Sequence, residues 1–284
     1  MVISVASGKG GTGKTTIAVN MALSIENAQL IDCDVEEPNA HIFVKPEIKC
    51  SKEAFLPVPE IDKSKCVYCG KCREVCSYNA IAVITPAGDI SGNVLLFPEL
   101  CHSCGACVEL CPAGAIREVD RRIGMIEIGD SGILQFAHGR LDVGQSMSPP
   151  LIRQLKEFIN PTRTVIIDAP PGTSCPVITA IKGSDYCILV TEPTPFGLND
   201  LILAVETVRE IGIPYGVIIN RSDIGDDNVS DYCEKNKIRV LSRIPFDKEV
   251  AVLYSKGKAV VGEKPLWKDT FRGIYNAIKN EALG

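Results

Sequence analysis

Hydrophobic and polar positions fall in blocks along most of this chain rather than alternating residue by residue. Val2–Ala6, Thr164–Asp168, Tyr186–Thr191, Tyr215–Asn220 and Ile238–Ile244 are short, mostly apolar runs rich in β-branched side chains. Such runs form parallel strands buried on both faces. Between them lie stretches of helical character at Thr15–Glu26, Pro149–Phe158, Pro176–Lys182, Leu198–Ile211 and Asp227–Asn236. Strand alternating with helix implies right-handed crossovers and a sheet covered on both sides. The pattern predicts a doubly wound, mostly parallel α/β fold. It breaks in the middle of the chain, where Pro46, Pro57 and Pro59 mark an entry and Arg121, Arg122 and Gly124 an exit. The expected organisation is therefore an α/β domain over 1–58 and 122–284, interrupted by a smaller domain over 59–121. Near the end, Leu266, Trp267, Phe271, Ile274, Tyr275 and Ile278 form an apolar stripe at helical spacing. Packing against the sheet is the commoner reason for such a stripe, and a membrane-surface helix is the alternative.

Composition sharpens this picture at one point. With 284 residues, 45% hydrophobic and 23% charged, the chain can bury a substantial core, which excludes collagen-like and low-complexity classes. A formal net charge of −5 gives no bulk attraction to nucleic acid. No run approaches the roughly 18 consecutive apolar residues that span a bilayer. The unusual number is thirteen cysteines, eight of them between Cys66 and Cys111. The opening MVISVASGKGG has no basic segment, apolar stretch or cleavage site of a signal peptide, so a cytoplasmic location is expected. Dense cysteines in that reducing compartment bind metal rather than pair as disulfides.

Gly8–Thr16 reads GKGGTGKTT and fits the phosphate-binding pattern through Gly8, Gly13, Lys14 and Thr15, after one predicted strand and before one predicted helix. Glycines such as Gly10, Gly11 and Gly13 let backbone N–H groups approach phosphate oxygens, with Thr12 and Thr16 completing the loop. Lys14 supplies charge to the β- and γ-phosphates, and Thr15 a hydroxyl to Mg²⁺. With Lys9 the loop resembles the deviant Walker A motif of the MinD/ParA ATPases. The resemblance extends to Asp32 and Asp34 in LIDCDVEEPN, Asp168 in VIIDAPPGT, Asn220 and Arg221 in VIINRSD, and the segment around Pro245, about 200 residues in all. It implies an ATP-dependent homodimer. Lys9 would reach ATP bound in the partner subunit, Asp34 would position the attacking water, and Asp168 would hold Mg²⁺ through a water. Asn220, Arg221 and Pro245 would line the adenine.

The cysteine-rich segment contains an internal repeat. Cys66, Cys69, Cys72 and Cys76 recur as Cys101, Cys104, Cys107 and Cys111 at a constant offset of 35 residues. The spacing resembles the bacterial ferredoxin pattern, in which the fourth cysteine of each run serves the other cluster. The resemblance implies one [4Fe–4S] cluster on Cys66, Cys69, Cys72 and Cys111, and a second on Cys101, Cys104, Cys107 and Cys76. Tetrahedral zinc is the competing occupant. Ser77 departs from the pattern, which has proline there. The link Pro86–Asn93 is expected to form a hairpin. The whole chain thus resembles MinD-superfamily ATPases carrying an inserted α+β ferredoxin domain.

Five cysteines remain. Cys33 and Cys187 lie in apolar strands and are expected to pack in the core, as are Cys50 and Cys233, which have no partner at ligand spacing. Cys175, near the second switch, is expected to start a helix; a cluster bridging two subunits is its alternative role. His102, beside Cys101, is expected to be an exposed loop residue; tuning the potential of a cluster or coupling a proton to it is its alternative role. Three tasks follow from these expectations. The first is an ATPase coupling MgATP and dimer closure to electron transfer through two clusters, toward an unidentified redox partner. The second is a carrier or scaffold that delivers an iron–sulfur or metal cofactor to a client protein. The third is a ParA-like positioning ATPase with structural clusters.

Overall fold

The computed structural model describes residues 1–283. Its main sheet has nine strands: β1 Val2–Ala6, β2 Ala28–Asp32, β3 Glu47–Ile61, β6 Ile116–Ser131, β7 Leu134–Leu141, β8 Thr164–Asp168, β9 Tyr186–Thr191, β10 Tyr215–Asn220 and β11 Val240–Ile244. Their spatial order is β11-β10-β9-β1-β8-β2-β7-β6-β3. From β11 to β7 every pairing is parallel, while β7–β6 and β6–β3 are antiparallel. Alternate residues of β1 explain the two-sided core. Ile3 and Val5 face Ile17 and Met21 of α1 (Lys14–Ser24) and Phe271, Ile274 and Ile278 of α11 (Pro265–Leu283). Ala6, on the other face, joins the layer of α5 (Pro149–Lys156), α6 (Cys175–Ile181), α7 (Pro195–Ile211) and α8 (Asn228–Lys235). The C-terminal apolar stripe is therefore spent on the sheet, although Leu266 remains 81% exposed. Among the described residues no helix is long and apolar enough to cross a membrane.

The block pattern of apolar runs does not predict the antiparallel edge. β6 mixes exposed and buried positions and carries no continuous apolar run, so block-wise patterning passes over it. β3 and β6 run 15 and 16 residues, about 50 Å each at strand rise, and continue beyond the body of the sheet. Pro57 and Pro59 lie inside β3, opposite Asp120 and Glu118. Prolines are tolerated there because β3 is an edge strand, with one row of N–H groups that no neighbour needs.

Residues 62–115 fill the far end of this ladder with α3 (Lys71–Val75), β4 (Ile81–Ile84), β5 (Asn93–Leu96) and α4 (Ala106–Glu109). The 35-residue offset recurs in the backbone. Left-handed Tyr68, Gly70 and Asn79 match left-handed Ser103, Gly105 and Gly114. Ile61 pairs with Ile116 and Ile81 with Leu96, and the N–H groups of Asp62 and Phe97 donate to Ala115 O and Ala80 O, both at 2.8 Å. Reciprocal pairing of this kind relates the two halves by a pseudo-twofold. The expected hairpin is present between β4 and β5, with a further bridge at Ala87 and Ile90.

Candidate functional site

The carboxyl ends of β1, β2, β8 and β10 open onto one cleft with about 1420 Å³ of empty space. Gly10, Gly11, Gly13, Lys14, Thr15 and Thr16 form its floor. Gly13 is required twice: its φ of +91° is left-handed, and an added Cβ would lie 2.4 Å from Asn220 Nδ2. Gly8 is needed for a different reason, since a Cβ there would meet the backbone oxygen of Asp200 at 2.2 Å. No side chain caps α1, so the N–H groups of its first turn remain available to an anion, reinforced by the helix dipole.

Three carboxylates behind this floor have distinct settings. Asp32 and Asp168 stand in register on β2 and β8, both fully buried. Asp32 accepts N–H groups from Asp34, Asn39 and Ala40 at 3.0–3.1 Å, which ties down the turn after β2. Asp168 has no hydrogen-bond partner on either oxygen, and Lys14 Nζ lies 3.6 Å from Oδ1. Burial pushes both acids above the ordinary carboxylate range; the neighbouring charge of Asp168 adds to the shift of Asp32, while Lys14 opposes that of Asp168. Asp34 reaches the cleft wall and is pushed up to about 6, chiefly by burial, against the pull of Lys14.

Asn220, Arg221 and Pro245 line the opposite wall. Asn220 Nδ2 donates to Thr12 O at 2.8 Å, so one amide hydrogen is already spent on the loop. Lys9 stands away from the cleft and lies 3.9 Å from Glu192, which also binds Arg221 at 2.7 Å. Gly8, Lys9, Thr12 and Asp168 therefore support the site from outside its walls.

The eight repeat cysteines sort into two further cavities. Cys66, Cys69, Cys72 and Cys111 line one, with about 360 Å³ of empty space. Cys76, Cys101, Cys104 and Cys107 line the other, with about 420 Å³. Each cavity thus draws three thiols from one run and the fourth from the other run. Apolar side chains complete the walls, among them Ile61, Val83 and Val94 in the first and Ile81 and Val108 in the second. Backbone N–H groups of Ala80, Ser103 and Ala115 donate to the sulfurs of Cys76, Cys101 and Cys111 at 3.3–3.4 Å. Among the described residues, no three His, Cys, Asp or Glu side chains gather closely enough to hold a single metal ion. His102 is exposed, as expected, and stacks on Tyr78 with ring centroids 3.6 Å apart. Cys33, Cys187 and Cys233 are buried, and Cys175 is exposed in the first turn of α6. Cys50 corrects the expectation of packing: it is exposed on β3.

Residues 3–260 match the profile of the CobQ/CobB/MinD/ParA nucleotide-binding domain. The chain belongs to that family. Among its relatives is an uncharacterised protein of Methanocaldococcus jannaschii, 32% identical over 91% of both chains. An iron–sulfur cluster carrier protein of Aquifex aeolicus is 25% identical over 93% of this chain and 62% of its own. The septum site-determining protein MinD of Pyrococcus horikoshii, solved with Mg-ADP, has the same fold: TM-score 0.61, 17% identity, 99% of this chain and 96% of that one covered.

In this MinD/ParA-type domain two sets of contacts escape sequence reading. Glu192 holds Lys9 and Arg221, and no motif singles it out. The loop from β7 to α5 joins the turn after β2 to one cysteine run. Buried Ser148 donates to Glu36 at 2.8 Å, and Ser146 donates to the carbonyl of Glu99 at 2.7 Å. Arg121 ties the same pieces together, binding Gln145 at 3.0 Å and Glu99 at 3.2 Å. Glu99 lies two residues before Cys101.

Proposed function

We propose that this protein is an ATP-dependent homodimer that couples MgATP binding and hydrolysis to electron transfer through two [4Fe–4S] clusters. The observation that carries the proposal is the crossed sorting of eight thiols into two cavities, joined by Ser148, Ser146 and Arg121 to the turn beside the P-loop. The residues present fit the groups. Four soft thiol donors, apolar walls and N–H groups aimed at sulfur suit a cluster. A buried carboxylate with two unpartnered oxygens beside Thr15 suits Mg²⁺. In this reading residues 59–121 form the ferredoxin-like domain, and 1–58 with 122–284 the ATPase. The bound clusters supply one-electron storage.

The chain's own residues do the rest. The P-loop amides and Lys14 hold the β- and γ-phosphates, while Thr15 and Asp168 take Mg²⁺. Asp34 orients the attacking water and accepts its proton. Lys9 leaves Glu192 to reach the nucleotide of the second subunit, so the phosphate charge competes with a carboxylate for one cation. Asn220, Arg221 and Pro245 bracket the base. Closure around the γ-phosphate shifts Glu36, and the 142–148 loop transmits that shift to the Cys101 run.

Anaerobic purification with iron counting and EPR, with and without MgATP, tests this reading. Expected are about eight irons per chain and an EPR signal or reduction rate that responds to MgATP. A Lys14→Ala variant should keep the iron and lose both the response and ATP hydrolysis. Zinc in place of iron, or signals indifferent to MgATP, would overturn the proposal. A second reading, delivery of a cluster to a client protein, is favoured by the likeness to the iron–sulfur cluster carrier protein of Aquifex aeolicus. It predicts loss of iron to an apo-protein, which a tightly held redox centre does not show.

A further inference from the structure

The two halves of the cysteine repeat share backbone landmarks at the 35-residue offset but are opposite in charge, and this difference has an internal control. At an offset of 35 residues, Lys63, Lys65, Lys71 and Arg73 of the first run correspond to Pro98, Leu100, Ala106 and Val108 of the second. Asp62–Cys76 carries four cations against two anions, a net +2. Phe97–Cys111 carries Glu99 and Glu109 with no Lys or Arg, a net −2. All four cations are exposed. Lys65 and Lys71 make only loose local pairs, with Asp62 at 3.5 Å and Glu74 at 3.8 Å. Local pairs of this kind contribute little and leave the net positive field in place.

The first cavity is also the outer one. It is walled by Ile61, Val83 and Val94 at the tip of the β3–β6 ladder, whereas Pro57 and Pro59, nearer the main sheet, wall the second. Beside the outer cavity Val67 is 63% exposed, an apolar spot within the basic segment. Cys69 of the same cavity is exposed too. A small apolar contact ringed by one sign of charge suits a weak, fast, electrostatically steered encounter. The charge is not there to balance the thiolates. The second cavity also has four thiols, and its run has no lysine or arginine.

We infer that the basic segment around Cys66–Cys72 is the docking surface for an acidic one-electron carrier protein. The inference rests on the two-cluster reading above. One electron passes between the carrier's reduced centre and the group held by the outer cysteines, so the carrier is oxidised and that group reduced, with no bond made or broken. The chain as a whole is acidic, −5 before any cluster is bound, so the net +2 of this segment runs against the overall charge.

The test uses the anaerobically purified holoprotein with an acidic plant-type ferredoxin as probe and basic cytochrome c as the contrasting carrier. Association rate is read by stopped flow and affinity by calorimetry. Raising the ionic strength from about 0.01 M to about 0.15 M should slow ferredoxin association about tenfold. Lys65→Glu with Lys71→Glu should slow it as much at low salt and flatten the salt dependence. Leu100→Glu, at the position equivalent to Lys65, should leave it unchanged. Iron content and ATP hydrolysis should be those of the parent in every variant. Binding that ignores salt and the double charge reversal would overturn the inference, as would a preference for cytochrome c. So would a change confined to the midpoint potential, since the lysines would then tune the bound group rather than dock a partner. Absence of iron from the parent protein is a separate outcome: it sinks the two-cluster reading itself.

Discussion

Three aspartates around one cleft differ in their surroundings, and the roles proposed for them differ accordingly. Asp32 spends its oxygens on three backbone N–H groups and is a hinge post for the turn that bears Asp34. Asp168 has no such partners and lies beside Lys14; in the proposed function it takes the cation. Asp34 sits between these extremes, with burial raising it to about 6, near the pH at which a general base works best. A raised carboxyl pKa has opposite consequences for activity and stability. The folded protein binds this proton more tightly than an unfolded aspartate does, so the contribution of the group to stability is full below about 3.8 and is lost as pH rises through about 6. In the proposed hydrolysis Asp34 acts as the carboxylate, so kcat/KM for ATP should rise through the same window. Asp34→Asn should lower kcat by about 10²- to 10⁴-fold, abolish the acid limb and leave the melting temperature equal or higher. An acid limb that survives the substitution would assign the titration to another group. The acids themselves were legible in sequence, because Asp32 and Asp168 end apolar strands and Asp34 follows the first of them by two residues. Their division of labour was not, since it depends on which N–H groups fold back onto which oxygen.

At the scale of elements, the loop from β7 to α5 is the piece that joins nucleotide to cysteines. Pro149 starts α5 where patterning places it, and the helix ends two residues earlier than the apolar run suggests. The loop before it carries no motif at all. Its meaning comes from contacts 112 and 47 residues away along the chain. Ser148→Ala would remove the donor to Glu36 at a cost of about 1 kcal/mol, small against the stability of a domain this size. ATP hydrolysis should persist, while the response of the iron–sulfur EPR signal to MgATP should weaken or vanish. A full response in Ser148→Ala would show that the coupling runs through another element. The edge strand β3 illustrates a related limit. Its prolines read as a chain break, yet they interrupt nothing, because whether a strand lies at an edge is decided only when the sheet assembles.

For the whole molecule, the strongest expectation concerns which cysteines act together. Single Cys66→Ser and Cys111→Ser variants should each lose about four irons, one cluster's worth. Combining them should lose no more, because both thiols line one cavity. Combining Cys66→Ser with Cys76→Ser should strip both sites, because these two thiols of one run line different cavities. Additive loss for the first pair and none beyond a single site for the second would replace the crossed arrangement with two independent runs. Part of this was already determined by the sequence alone: the parallel strands, the phosphate loop and the 35-residue repeat, while the crossing of its halves is what the resemblance to ferredoxins implies. The strands, the loop and each cysteine run are local, set by periodicity and by residue types within a few positions of one another. The tertiary structure alone decided the antiparallel edge that carries the repeat outward, the hold of Glu192 on Lys9, and the contact from Ser148 to Glu36. Each joins residues remote in sequence whose meeting follows from how the layers pack, and packing is a property of the assembled sheet rather than of any segment within it.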